Sequence, residues 1–96
     1  MTPRVARLQW DDANLGHIAL HFVTRDEVEQ AFFDTFSTLE HFDEVTGEKR
    51  YRMLAKAPDG PVLAIVFVIR QQSIRTVTAY SAKGKLLAKY RREATR

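Results

Sequence analysis

The chain of 96 residues contains no cysteine, only four glycines and three prolines, and no long hydrophobic run. Without cysteine, neither a disulfide framework nor a thiolate metal site can form, which fits a reducing compartment. The longest apolar run, residues 62–69, is far shorter than a membrane span, and the N-terminus has no apolar segment of signal-peptide length. The sequence therefore predicts a soluble, cytoplasmic protein with no membrane partner.

The length suits one compact core, so we expect a single domain over residues 1–96. Charge is distributed unevenly along it. Residues 1–48 hold three Lys or Arg against ten Asp or Glu, whereas residues 49–96 hold twelve against two. If the halves stay apart in space, the second half forms the basic face that nucleic acid attracts. An equally good interpretation is a solvated surface on which the two halves neutralise each other.

A strand and a short helix are predicted at the start of the chain. Residues 5–10 alternate between apolar and polar side chains, as a half-buried strand does. Asp11 or Asp12 then offers an N-cap for a helix that we expect to end at His21.

The next helix has a clearer beginning. Thr24 and Glu27 match a capping box, and Val23 and Val28 occupy the two positions of a hydrophobic staple. The sequence therefore predicts a helix that begins after Thr24 and buries Val28 together with the apolar residues one turn later, Ala31 and Phe32.

Strands are predicted through the middle of the chain. Residues 34–43 fit a loop or a short strand equally, with Phe36, Leu39 and Phe42 expected to point inward. Residues 49–57 alternate, which predicts one apolar face with Tyr51, Met53 and Ala55.

The apolar run 62–69 suits the middle of a sheet, and the Gln71-Gln72 turn joins it to a β-branched strand, 74–80. Ser81 is expected to cap a last helix whose inward residues are Leu86, Leu87 and Tyr90. This order predicts an α+β fold, an antiparallel sheet of about four strands with N-terminal helices and a C-terminal helix packed on it.

Several motifs together resemble the BrnT family of bacterial toxins, over residues 8–90. Residues 10–28 read W-D-x-x-N-x-x-H-I-x-x-H-x-V-T-x-x-E-V, residues 50–54 read R-Y-x-x-L, residues 75–80 read R-x-V-T-A-Y, and a basic helix closes on Tyr90. The resemblance implies a RelE-like fold and a small ribonuclease that an antitoxin holds silent. It also implies that the antitoxin is a BrnA-like ribbon-helix-helix protein and that the complex binds operator DNA.

Two positions depart from the family pattern. Tyr80 stands where part of the family has an arginine after the alanine, and Lys49 stands where many members have a glutamate. Tyr80 could still hydrogen-bond phosphate or stack on a base, although a tyrosine at the end of a strand usually serves packing.

The histidines are candidates for proton transfer. RNA cleavage without a metal requires a base for the 2′-hydroxyl, positive charge for the phosphorane and an acid for the leaving oxygen. His17 and His21 are four residues apart and share a helix face with Asn14. Each histidine could instead pack against the core, which is the commoner role. Their spacing also suits zinc, but Ile18 stands where metalloproteases have a glutamate, so no metal or other cofactor is predicted.

The basic side chains are candidates for phosphate contact. Arg50, Arg52 and Lys56 share one strand face, with Arg75 on a neighbouring strand, and guanidinium groups bind phosphate through two bonds. The alternative is a solvated face balanced by acidic residues. The predicted catalytic residues are Arg50, Arg75, His17, His21 and Tyr80. The predicted RNA-binding residues are Arg52, Lys56, Lys83, Lys85, Lys89, Arg91 and Arg92.

Three hypotheses follow from these residues and from the resemblance. The first is an endoribonuclease toxin of a type II toxin–antitoxin pair that cleaves RNA by 2′-hydroxyl attack without a metal. The second, motivated by Lys49 and Tyr80, is a noncatalytic BrnT-like protein or nucleic-acid-binding module that acts through partners. A weaker third hypothesis is a protein whose two histidines hold a metal.

Overall fold

The computed structural model describes residues 7–95, and for residues 40–42 only the course of the main chain. None of the helices within these residues is long and apolar enough to cross a membrane. The elements in chain order are β1 (Arg7–Gln9), α1 (Asp12–Ala19), α2 (Arg25–Ala31), β2 (Thr38–Val45), β3 (Glu48–Lys56), β4 (Val62–Arg70), β5 (Ser73–Ser81) and α3 (Gly84–Ala94).

The strands form one sheet in the order β1-β5-β4-β3-β2. Strands β2 to β5 are an antiparallel meander, and β1 joins the edge of β5 in parallel. The predicted α+β class is confirmed, but the prediction of about four antiparallel strands is wrong, because the described residues form five strands and one pair is parallel. The stretch that the sequence left ambiguous becomes a strand by pairing with β3, which raises the strand count, and the first strand pairs with β5 in parallel.

Helices α1 and α2 cover one side of the sheet, which we call the α1/α2 face. As predicted from alternation, Tyr51, Met53 and Ala55 point to this side of β3. They pack with Ile18 from α1 and Val28 from α2, which are almost completely buried. The apolar residues of the central strand β4 that point this way complete the larger of two hydrophobic clusters, Leu63, Ile65 and Phe67.

Helix α3 packs on the opposite side, which we call the α3 face. The predicted inward residues Leu86, Leu87 and Tyr90 are confirmed, and they contact Leu54 of β3 and Ala64 of β4. The run 62–69 is apolar on both sides because β4 is the central strand, with α1 and α2 over one face and α3 over part of the other.

The helix beginnings follow the sequence except at α3. Thr24 and Glu27 form the predicted capping box of α2, and Asp11 caps α1. Helix α1 ends at Ala19, earlier than predicted. The prediction that Ser81 caps α3 is wrong, because Ser81 still pairs with Leu63 in the sheet and the N-cap is Lys83.

The prediction that side chains of residues 34–43 point inward is also wrong for Phe36 and Leu39. Phe36 is 56% exposed and Leu39 is 60% exposed, because α2 ends before it can cover this edge of the sheet. The structure does not describe the side chain of Phe42. The first two residues of the predicted first strand, Val5 and Ala6, also lie outside the described residues.

Candidate functional site

A bulge in β5 decides which side chains meet on the α3 face. Val66 pairs with Thr78 while the next residue of β4, Phe67, pairs with Thr76, so β5 holds one extra residue, Val77. Arg75 and Tyr80 are five positions apart, and simple alternation would send them to opposite faces. The bulge removes this difference, and both residues lie on the α3 face.

Two arginines flank the centre of that face. In the register of the sheet, Arg75 of β5 pairs with Val68 of β4. Tyr51 of β3 pairs with Phe67, so the preceding residue of β3, Arg50, comes beside Val68 on its other side. Val68 is only 2% exposed although it belongs to neither hydrophobic cluster. We infer that the aliphatic stems of the two arginines cover it, as long basic side chains often do.

Arg75 is held in place by the residue that caps α1. Its Nη1 donates to Oδ2 of Asp11 at 2.7 Å, and its Nη2 donates to Oδ1 at 3.3 Å. The hydrogen bond from Arg75, followed by the bond from the Asn14 N–H, lowers the pKa of Asp11 below its usual value. Arg75 therefore joins β5 to the start of α1, and it keeps further N–H donors for another acceptor.

Asn14 completes this junction. Its amide donates from Nδ2 to the carbonyl of Gln9 at 2.9 Å and to the carbonyl of Thr76 at 3.2 Å. Asn14 is 3% exposed, so it anchors α1 to the edge of β5 where the pairing with β1 stops. The sequence grouped Asn14 with the histidines, whereas the structure gives it this buried anchoring position.

Arg52 and Thr78 form the adjacent row of the α3 face, on either side of Val66. The hydroxyl of Thr78 is buried and has no hydrogen-bond partner among the residues that the structure describes. The arginine pair and this hydroxyl together give the uncovered part of the face several donors and a cationic surface.

Lys56 shares the strand face with Arg50 and Arg52, as alternation predicts, but it is not part of the arginine group. Leu54, which α3 covers, lies between them. The Lys56 ammonium donates to the carbonyl of Pro58 at 3.0 Å. At the far end of the face, the carboxylate of Glu48 binds the Arg70 guanidinium through two bonds of 2.7 and 2.9 Å.

The histidines and Tyr80 form a chain of rings beside this face. The ring centroids of His17 and His21 are 6.4 Å apart and nearly parallel, and the centroids of His21 and Tyr80 are 6.0 Å apart. Both histidines are exposed, so the interpretation that they pack against the core is wrong. Among the described residues, no group of three or more His, Cys, Asp or Glu side chains is arranged to hold a metal.

A groove of about 630 Å³ opens beside these rings. It lies between the end of α1 and the connection from β5 to α3, and its lining residues are Leu20, His21, Phe22, Tyr80, Ser81 and Lys83. The groove combines two predicted catalytic residues with one predicted RNA-binding lysine. Phe22 was not among the predicted site residues, and it lies in this groove almost fully exposed.

The other predicted RNA-binding residues of α3 surround its outer sides. Leu86, Leu87 and Tyr90 occupy the side that packs on the sheet. Exposed cations follow at Lys85, Arg91 and Arg92, with Lys89 half-buried. The last-turn cations Arg91 and Arg92 also suit the negative end of the helix dipole.

A second polar cluster, which the sequence did not reveal, fixes α3 to the sheet. The Tyr90 hydroxyl donates to Oδ2 of Asp34 at 2.6 Å, and the main-chain N–H of Lys56 donates to the same oxygen at 3.0 Å. Burial, together with the neighbouring carboxylate, raises the pKa of Tyr90 to about 12. Burial opposes the ionisation of Asp34, but the bonds from Tyr90 and from two main-chain N–H groups outweigh it and lower its pKa. This cluster is structural.

The arrangement therefore offers two chemical capacities on one side of the molecule. His17, His21 and Tyr80 carry groups that can transfer protons, and Arg50 and Arg75 carry fixed positive charge. Because the bulge puts Tyr80 and Arg75 on one face of the sheet, a proton-transferring group and a fixed positive charge lie along the same face.

The chain belongs to the BrnT family. The family model described as the ribonuclease toxin, BrnT, of a type II toxin–antitoxin system matches residues 10–85, most of the chain and all of the candidate site except the end of α3. No curated protein matches the sequence. The resemblance inferred from the motifs is therefore confirmed at the level of the family.

Proposed function

We propose that this member of the BrnT family is an endoribonuclease that cleaves RNA without a metal, by attack of a 2′-hydroxyl on the adjacent phosphate. The observation that carries the proposal is the bulge in β5, which puts Tyr80 on the same face of the sheet as Arg75, while the rings of His21 and His17 follow from Tyr80 along α1. The family match supports a ribonuclease toxin more generally.

In the proposed reaction one imidazole accepts the proton of the 2′-hydroxyl. The 2′-oxygen bonds to phosphorus, the bond to the 5′-oxygen breaks, and a second group protonates the leaving oxygen. His21 is well placed for one of these proton transfers because it lies between His17 and Tyr80. Arg50 and Arg75 would stabilise the charge on the phosphorane. The products are a 2′,3′-cyclic phosphate and a free 5′-hydroxyl.

The basic residues beyond this centre would hold the RNA backbone. Arg52 lies beside the arginine pair, and Lys83 lies beside the rings. The remaining cations lie in α3 and at the end of β3, and we propose that they attract the RNA backbone electrostatically. They are Lys56, Lys85, Lys89, Arg91 and Arg92.

The proposed protein partner is an antitoxin, which the family implies. We propose further that it is a BrnA-like ribbon-helix-helix protein, that the complex binds operator DNA, that the protein acts in the cytoplasm and that the fold is RelE-like. Coverage of the basic face by the antitoxin would prevent phosphate binding, because the electrostatic contribution dominates the affinity for RNA. A ribbon-helix-helix gene adjacent to this one would support the pairing.

The proposed activity is tested by controlled expression of the chain alone in a bacterial host, followed by growth measurement and mapping of RNA ends. We expect growth arrest and new RNA ends that carry 5′-hydroxyl groups, both relieved by Arg50→Ala at equal expression. Purified protein should cleave RNA equally well in the presence of EDTA. Normal growth and intact RNA with folded protein would contradict the proposal.

A second candidate function is a noncatalytic module that binds nucleic acid or protein partners. The bidentate pairing of Arg75 with Asp11 favours it, because a guanidinium with a structural carboxylate beside it is less available for phosphate. RNA binding without any cleavage by the purified chain would select this function over the first.

A further inference from the structure

Helix α1 ends in a turn whose hydrogen bonds define a Schellman motif. The Phe22 N–H donates to the carbonyl of Ala19 at 3.0 Å, and the Val23 N–H donates to the carbonyl of Ile18 at 3.1 Å. Val23 and Ile18 are buried in the same cluster, which matches the hydrophobic contact that often accompanies this motif. Phe22 therefore occupies the position that glycine or asparagine usually takes.

Phenylalanine is poorly suited to this position. Phe22 has a φ of +61°, a left-handed conformation in which a Cβ is crowded by the main chain. Its side chain is 93% exposed, so burial does not offset the strain. The stability of the fold gives no reason for an aromatic side chain here, and this points to a binding role.

The surroundings of Phe22 fit a nucleobase. The groove of about 630 Å³ is of the size that small ligands occupy, and Phe22 lines it together with the rings of His21 and Tyr80. Lys83 supplies a cation, and none of the six lining residues is acidic. Aromatic rings and a lysine that line one groove suit an unpaired base together with its phosphate.

We propose that Phe22 is the stacking residue of a nucleobase subsite in the groove, occupied by an unpaired base of single-stranded RNA next to the cleaved phosphate. The inference rests on the proposed ribonuclease function, and it adds a residue that makes no contribution to proton transfer. Stacking on Phe22 brings the sugar of that base towards His21 and Tyr80, and Lys83 binds its phosphate.

The test measures binding of a fluorescein-labelled, single-stranded 2′-O-methyl oligonucleotide by fluorescence anisotropy, because this backbone resists 2′-hydroxyl attack. Phe22→Gly should weaken binding by about 5- to 100-fold, the loss expected for one stacked base. Phe22→Tyr should bind within about 2-fold of the parent because it keeps a stacking ring. The matched control is Phe33→Ala, which removes another exposed phenylalanine, on the side of α2.

An abasic oligonucleotide sharpens the result. If the base stacks on Phe22, replacing that base with an abasic site should weaken binding to the parent and leave binding to Phe22→Gly unchanged. Equal binding by the parent and Phe22→Gly would overturn the inference. If Arg50→Ala then still weakened binding, the proposed function would survive this result. A parent chain that binds no RNA would overturn both.

Discussion

The two faces of the sheet are built differently, although β4 contributes apolar residues to both. The α1/α2 face is one continuous hydrophobic cluster closed by two helices. The α3 face has a helix over only part of its area, and beyond that part Val66 and Val68 are buried beside Arg50, Arg52 and Arg75.

This difference lets one face provide the hydrophobic core and leaves the other free to carry charged groups. A domain of this length needs most of its apolar area on a dry core, and the α1/α2 face provides it. The other face can then carry charged groups at the centre of a rigid sheet. The pairing of the strands determines which of these groups are neighbours.

The largest expected effect is on the free energy of unfolding, when an equally buried leucine is replaced on each face. Leu63 on the α1/α2 face and Leu54 beneath α3 are both 1% exposed. Leu63→Ala should lower the free energy of unfolding by about 4 kcal/mol, and Leu54→Ala by about 3 kcal/mol, because α3 can shift to fill part of the cavity. Urea denaturation measures both values. A larger loss for Leu54→Ala would contradict the distinction between the faces.

A second comparison concerns the two arginines beside Val68, which should differ in their effect on stability. Arg50→Ala should reduce the rate of RNA cleavage by about 10²-fold, the loss typical of one transition-state contact, and leave the melting temperature nearly unchanged. Arg75→Ala should reduce the rate and also lower the melting temperature, because it releases Asp11 from the bidentate pair that joins β5 to α1. Arg25→Ala on α2 is the control and should retain full activity. Equal activity of all three variants would remove the arginines from the proposed site.

The attachment of α3 gives a third prediction. Tyr90→Phe should cost about 1.5–3 kcal/mol because it removes a hydrogen bond to the Asp34 carboxylate. Guanidinium chloride denaturation at neutral pH measures this loss, and a loss below about 0.5 kcal/mol would contradict the assigned contact. Phe32→Leu, in the cluster on the other face, is a control for general repacking.

The same contact predicts how stability depends on pH. The folded-state pKa of Tyr90, about 12, is above its ordinary value of 10.0, so its contribution is complete below pH 10 and is lost as the pH rises towards 12. The pKa of Asp34 is lowered, so its contribution is present above its unfolded-state value and is lost as the pH falls through the folded value. Absorbance of phenolate should show an ionisation step near pH 12, and Tyr90→Phe should abolish that step.

The smallest expected effect is on the stability of the protein and comes from Phe22, at the border between the faces. Unlike the substitutions above, this one should stabilise the fold. Phe22→Gly should stabilise the protein by roughly 1 kcal/mol, because glycine adopts a positive φ without strain. Differential scanning calorimetry should show a melting temperature about 4–8 °C higher. Phe33→Ala should leave it nearly unchanged. A lower melting temperature for Phe22→Gly would show that the ring supports the fold.

Local signals in the sequence predicted much of this fold. The capping box at Thr24 and Glu27 and the staple at Val23 and Val28 depend only on neighbouring residues, and both features form. The two-residue turn at Gln71 and Gln72 also depends on local geometry, and it joins β4 to β5 as expected.

Features that depend on distant pairing were not predictable in the same way. Ser81 has the side chain of a good N-cap, but pairing with Leu63 keeps it in β5. The bulge at Val77 has no marker in the sequence, since no glycine stands there, yet it determines that Arg75 and Tyr80 share a face. The Asp11–Arg75 pair likewise joins residues that only the sheet brings together. Alternation along one strand could thus be read from the sequence, whereas the shared face of Arg75 and Tyr80 could not.

The parallel pairing of β1 with β5 also affects how the molecule is assembled. Arg7 pairs with Ser73, 66 residues later, so β1 cannot join the sheet until β5 has been synthesised. Such long-range closure is slow to form and comes late in folding. A polypeptide that stops anywhere before β5 holds the histidines without Tyr80 and Asp11 without Arg75. A polypeptide must therefore extend through β5 before it can assemble the candidate site.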